Sequence, residues 1–327
     1  MALPANTYTR FTAATNVRED LIDKITMTNP EKTPIISAMG RDSAENTYHE
    51  WQRDNLRTPN KDNAALDGDD ATASAKTPPA RVANVCQIFQ DTISVSGRAE
   101  VVKKAGMKSA MAYYKAKAYK ELQRDMEAMV VSANPAVAGS GGVASKSGGL
   151  GVLLYSNAQH GAGGSTTAHT SGAPTTAPVA GTGRAFTEAL VKAAVQATYI
   201  ASGEIPPAVY MSPNHKGVFS GFAGIAVNRV EIPASDRSTK QAKIVGGADV
   251  YVSDFGNLEV VPHYIMAGST SVFGVSPEQG DIVYLRAFQS EMLGRSGDNT
   301  RAQVLVDATL RMKSEQSSFK IADLTGG

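Results

Sequence analysis

Residues 108–132 read KSAMAYYKAKAYKELQRDMEAMVVS, and the reading of this stretch decides how the chain is built. Met111, Tyr114, Ala118, Leu122, Met126 and Met129 recur at three- and four-residue spacing, which draws one apolar stripe along a helix. Asn134-Pro135 supplies the stop. A helix over the whole stretch would span about 38 Å, long for one domain of a 327-residue chain. Its charges run against the helix dipole, with Lys108, Lys115, Lys117 and Lys120 early and Asp125 and Glu127 late. Free in water that order is unfavourable. The helix is therefore expected to owe its form to what packs around it.

Upstream, residues 41–82 hold the only tryptophan, Trp51, and then turn very polar: Asp62, Asp67, Asp69 and Asp70 precede Pro78-Pro79. Long structureless loops are uncommon in compact domains. An extended hairpin is predicted, with strands near 47–53 and 82–95 and a polar tip. Cys86 alternates with Val82 and Ile88, which predicts a packed strand residue on one face of that hairpin. Residues 1–40 carry a short helical pattern, Val17, Leu21 and Ile25, then Pro30 and Pro34. Such an arm builds no core of its own.

Downstream, residues 139–183 hold 12 glycines and a single charge, Lys146. Only 150–155 looks able to pack, so an exposed, mobile insertion is expected. A second helix is predicted at 188–202, with Leu190, Val191, Ala194 and Val195 on one face, Thr187 as cap and Gly203 as stop. A short strand at 208–211 leads to a helix start at Ser212-Pro213. Beyond 248 the apolar period switches to two, as in Val250/Val252 and Val304/Val306/Ala308/Leu310. The fold class is α+β with a predominantly antiparallel sheet.

Composition narrows the chemistry. Charged residues are 19% of the chain, and 32 bases against 31 acids leave a net charge of +1, which argues against a nucleic-acid coat. One cysteine excludes an intramolecular disulfide framework and a cysteine-based zinc site. No apolar run reaches the length that spans a membrane, and the first 18 residues lack the apolar core of a signal peptide. A soluble chain made inside the cell is expected. No phosphate loop, dinucleotide fingerprint or nucleophile elbow completes itself. The five histidines show no close ligand spacing, and the Asp67–Asp70 run lacks the terminal glutamate of a calcium loop. The expectation is a non-enzyme with no catalytic residue, metal or cofactor.

Several motifs in fixed order carry a resemblance. These are Arg18-Glu19-Asp20-Leu21, Thr33-Pro34, Asn46-Thr47-Tyr48-His49-Glu50-Trp51, Arg184-Ala185-Phe186-Thr187, Met211-Ser212-Pro213, Val304-Leu305-Val306 and Lys320-Ile321-Ala322-Asp323-Leu324. With the element order, they resemble the major capsid proteins of tailed bacteriophages, of HK97-like fold, nearly end to end. The resemblance implies an N-terminal arm at 1–40 and an E-loop at 41–97. A P-domain follows at 98–185, with a spine helix at 108–132 and the Gly-rich insertion at 139–183. An A-domain at 186–295 and a return to the P-domain at 296–327 complete the chain. It implies hexameric and pentameric self-assembly into an icosahedral shell around double-stranded DNA, without sequence-specific binding and without a membrane. The shell would assemble in the host cytoplasm and end in the virion. No long helical segment precedes the arm, so separate scaffolding, portal and decoration proteins are the expected partners. An encapsulin-like compartment with protein cargo, or a hydrolase with an unrecognised site, are the alternatives.

Some members of this fold weld subunits through an E-loop lysine and a neighbour's asparagine. Here Lys61 and Lys76 are the lysines available, and the polar setting beside Asp62 predicts no such bond. Val17, Leu21 and Ile25 are expected to pack on a neighbour. Segment 98–124 carries eight bases against two acids, while 62–70 carries four aspartates and no base. The tip acids Asp62, Asp67, Asp69 and Asp70 are therefore expected to reach a neighbour's Lys115, Lys117 and Lys120. The competing account turns those lysines to the lumen and its DNA.

Overall fold

Ser109 opens the long helix by accepting a hydrogen bond from the Ala112 amide, and the helix, α3, runs Ala110–Val130. In this computed structural model, which describes residues 23–68, 70, 73–222 and 249–327, Ala118, Leu122, Met126 and Met129 of the stripe are buried. Met111 is only partly buried and Tyr114 is exposed. Part of what offsets the adverse charge order comes from outside the helix. Glu100, on the short α2 (Gly97–Val101), accepts the Ala110 amide at 3.1 Å and places an acid at the helix start.

The sheet under α3 has the order β1-β10-β11-β4. Its strands are β1 (Gly40–Ser43), β4 (Gln87–Ser96), β10 (Gly280–Leu293) and β11 (Asn299–Met312). β10 and β11 form a long antiparallel hairpin, β4 adds antiparallel to β11, and β1 lies parallel to β10. Phe89, Ile93 and Val95 join Val304, Val306, Ala308 and Leu310 against the helix stripe. The junction at 295–296 falls at the turn of this hairpin, so both sides of it belong to one sheet.

A second sheet has the order β5-β12-β9-β6-β8-β7. It comprises β5 (Ala158–Gln159), β6 (Ala208–Met211), β7 (Val250–Ser253), β8 (Gly256–Pro262), β9 (Val272–Val275) and β12 (Phe319–Ile321). One face packs on α5 (Glu188–Ser202) and α6 (Pro213–Ser220) through Val191, Ala194, Val195 and Phe219, and the other joins the core of the first sheet. Gly203 ends α5 in the left-handed conformation, and the Ser212 side chain caps α6; Thr187 precedes α5 without a side-chain hydrogen bond. The closing strand β12 thus lies in the second sheet, between β5 and β9.

Three expectations change. The hairpin β2 (Tyr48–Arg53) with β3 (Ala80–Val85) is present, but the run 82–95 is not one strand. It breaks at Cys86, whose amide turns to Thr47 O at 2.8 Å, and β4 then leaves for the four-stranded sheet. Cys86 is buried beside Ala44 and Val283 at this crossing, while Ile88 is exposed. Burial raises the Cys86 thiol pKa to about 11. In β7 the inward residue is Tyr251, whose hydroxyl meets Glu188, and Val250 and Val252 face outward on the edge strand. Finally, the Gly-rich window is exposed only in part: Leu150, Val152, Leu153 and Leu154 of the stretch expected to pack are fully buried together with Ser147, while residues 139–144 and most of 162–183 are exposed. The short α4 (Leu150–Leu153) seats them, backbone bonds tie the window to the six-stranded sheet and to β3, and the Ser147 hydroxyl meets Thr309 of β11 at 2.9 Å.

Candidate assembly surfaces

From residue 23 on, the arm lies along its own chain's long helix. The Gly106 amide donates to Asp23 Oδ1 at 3.3 Å, Ile25 sits against Gly106, and Lys120 Nζ meets Glu31 at 2.8 Å. The arm then reaches α1 (Pro34–Ala38), where the Ile35 and Ile36 amides donate to the two carboxylate oxygens of Glu127 at 2.8 and 2.9 Å. His263 Nε2 lies 2.7 Å from Glu127 Oε1. Glu127 and His263 are wholly buried, so the carboxylate depends on these three partners in place of water. Glu127 was missed as an anchor in the sequence. The available signal was an acid among Met126, Met129 and Val130, all of which face the core. Of the predicted arm contacts, Val17 and Leu21 lie outside the described residues; Ile25 remains 40% exposed.

The hairpin is the opposite case. Every described residue from 54 to 79 is exposed, Leu56 at 99% and Leu66 at 79%. Asp62, Asp67 and Asp70 are on the surface there, and Asp69 lies outside the described residues. A leucine fully in water forgoes roughly 1.5–3 kcal/mol that burial would supply. Lys61 and Lys76 are exposed in the same stretch. The three predicted helix lysines have other neighbours among the described residues. Lys117 pairs with Glu121 at 3.4 Å, Lys120 with Glu31, and Lys115 Nζ lies 3.5 Å from Met292 Sδ.

Between α3 and β4 opens a groove of about 490 Å³, lined by Asp91, Glu121, Arg124 and Asp125 with Gln90 and Ile265. Burial holds the Asp125 carboxyl above its ordinary range; Arg124 opposes the shift, and Glu121 and Asp91 add to it. Among the described residues no three His, Cys, Asp or Glu side chains converge as a metal site requires, and no helix is long and apolar enough to cross a membrane. What the surface offers is a long exposed hairpin and an apolar strand edge at Val250 and Val252, set on a body of two sheets and a long helix.

That body is shared with viral shells. The fold is similar to the capsid of cyanophage A-1(L), with a TM-score of 0.64 and 13% identity over 97% of this chain and 100% of that one. It is similar to the capsid of a native GTA particle, at 0.62 and 11% identity over 98% and 100%. An encapsulin from Synechococcus elongatus also superimposes, at 0.55 and 10% identity over 97% and 96%. These likenesses define an HK97-like capsid fold. Over residues 3–325 the sequence matches the SU10 major capsid protein family, and the chain belongs to that family. The major capsid protein of Escherichia phage Phieco32 is 31% identical over 108 residues, 33% of this chain and 31% of that protein, so the match spans about a third of that relative's length.

Proposed function

We propose that this chain is the shell-forming subunit of a phage head, assembling as hexamers and pentamers into an icosahedral container for double-stranded DNA. The observation that carries the reading is the hairpin, which presents Leu56 and Leu66 to solvent in a chain of this family. A lattice neighbour would cover them. In this reading residues 1–40 are the arm, 41–97 the E-loop, 98–185 the P-domain and 186–295 the A-domain, with 296–327 returning. The pairing of β10 with β11 supports counting 280–293 with the P-domain as well. Separate scaffolding, portal and decoration proteins are the partners, assembly takes place in the host cytoplasm, and the DNA is held without sequence preference. The exposed E-loop lysines make no covalent weld.

Expression of the full chain with negative-stain imaging tests the reading. Closed shells are the expected product, and a chain that stays monomeric at high concentration would refute it. The encapsulin likeness favours a second reading, a compartment with protein cargo. Nuclease-protected DNA in particles from infected cells separates the two.

A further inference from the structure

We propose that residues 155–183 are a strap that couples the outer end of the β2–β3 hairpin to the six-stranded sheet, with a buried relay of Lys320, Thr166, His160 and Asp323 as its latch. The inference concerns the chain itself and does not rest on the shell reading.

At the hairpin end the strap pairs with β3 by backbone. The Ala83 amide donates to Gly172 O, and the Gly172 amide donates to Arg81 O, both at 2.9 Å. Gly172 has φ of +69°, a conformation that glycine adopts without strain. The Ala173 amide donates to the Tyr48 hydroxyl at 3.1 Å. Arg53, the last residue of β2, donates to the Tyr155 hydroxyl at 3.1 Å and to His169 O at 3.3 Å. The hairpin is held at its inner end too, where Tyr48 pairs with Val85 and the Asn84 side chain donates to Gly148 O and Leu310 O. The strap grips the part that would otherwise swing.

At the sheet end the polar groups form one ordered chain of donors. The Lys320 ammonium donates to Gly151 O and to Thr166 Oγ1, each at 2.6 Å. Having accepted there, the Thr166 hydroxyl donates to His160 Nε2 at 2.8 Å. The proton on His160 Nδ1 then points to Asp323 Oδ2 at 3.1 Å, and the same oxygen accepts the Gly161 amide at 3.0 Å. One tautomer of a neutral imidazole satisfies every member. Lys320, His160 and Asp323 are all buried or nearly so, so a broken link has little water to replace it. Thr166 and His169 are three residues apart, a reach of about 10 Å at full extension. The Ser165 and Val179 backbones bond each other and close the loop between them. Little slack separates latch from hairpin.

Amide hydrogen exchange on the unassembled full-length chain tests the coupling. Thr166→Val removes the link between Lys320 and His160 and touches neither Ala83 nor Gly172. The strap predicts that both of those amides exchange about tenfold faster, the size expected for one buried hydrogen-bonding partner lost. Thr166→Ser should restore wild-type rates. If Gly161 and Ser165 lose protection while Ala83 and Gly172 keep it, the two ends are independent and the proposal falls. Should Thr166→Val not fold, Tyr48→Phe probes from the hairpin side. Faster exchange at Gly161 and Ala322 supports coupling, and unchanged exchange there overturns it.

Discussion

The hairpin tip at 54–79 and the window at 139–183 are both long, polar and poor in regular structure, yet they end in opposite environments. Every described tip residue is in water, whereas the window buries Leu150, Val152, Leu153 and Leu154 and exchanges backbone bonds with β3 and with the C-terminal segment. The difference follows charge more than glycine. The tip carries aspartates, lysines and an arginine, which are costly to take out of water. The window holds one charge, and its remaining polar groups are amides and hydroxyls that neighbours can satisfy. Glycine then permits close approach: a Cβ on Gly161 would collide with Thr182 O. An uncharged Gly-rich stretch can thus be a packed element.

The largest expected effect sets the two leucines side by side. Leu153→Ala should cost about 2–5 kcal/mol, because a buried leucine loses its transfer energy and leaves a cavity. Leu56→Ala should change the stability of the unassembled chain by less than about 0.5 kcal/mol and weaken assembly instead. Urea midpoints of the two variants, with particle yield, check the contrast. Equal midpoints would dissolve it.

Acid is the second probe, since the window holds His160 and His169 and the tip holds no histidine. Burial, aided by Arg53, lowers the His169 pKa to about 4, and burial followed by Lys320 lowers that of His160. His169 is thus neutral in the fold near pH 6.5, and His160 is shifted the same way. As pH falls from 6.5 towards 4 the unfolded chain binds the protons first, so stability is lost across that window. His169 alone accounts for about 3 kcal/mol of it. His169→Phe, which keeps a ring against Tyr155, should flatten the pH dependence of the urea midpoint. A slope equal to wild type would show that His169 is not held neutral.

Glycine substitutions give a smaller contrast. Gly161→Ala should cost about 1–3 kcal/mol through overpacking against Thr182. Gly68 in the tip has open space but φ of +80°, so Gly68→Ala should cost about 1 kcal/mol or less, from the backbone alone. Thermal midpoints of the two variants rank them.

The long helix was legible because its stripe is local, and the strand at β11 because its alternation is long. The break at Cys86 was not legible. It depends on β4 finding β11 some two hundred residues later, and no local pattern reports that. In β7 the period of two was correct, but alternation alone does not say whether Tyr251 or its valine neighbours face inward. In the window the run 150–155 was legible as able to pack, but the bonds that hold the stretches around it were hidden for a related reason: satisfaction of backbone amides is a tertiary fact. Glu127 was within reach, as an acid on an apolar face requires partners. On the proposed subunit contacts, the in-chain pairs of Lys117 and Lys120 with Glu121 and Glu31 add a competition that charge counting missed.

That competition sharpens the last and smallest effect. If the tip acids dock on a neighbour's helix, they must compete with Glu121 for Lys117 and with Glu31 for Lys120. Lys115, against Met292 Sδ, faces no carboxylate in its own chain among the described residues. An exposed pair contributes about 0–1 kcal/mol, so the contact acts only through many copies in a lattice and weakens as salt shortens the screening length. Changing Asp67, Asp69 and Asp70 together to Asn should lower the salt concentration at which empty shells come apart. Lys115→Gln should reproduce most of that shift and Lys117→Gln little of it. Shells of the aspartate variant that match wild type, alongside lysine variants that leak DNA, would place these lysines on the lumen side.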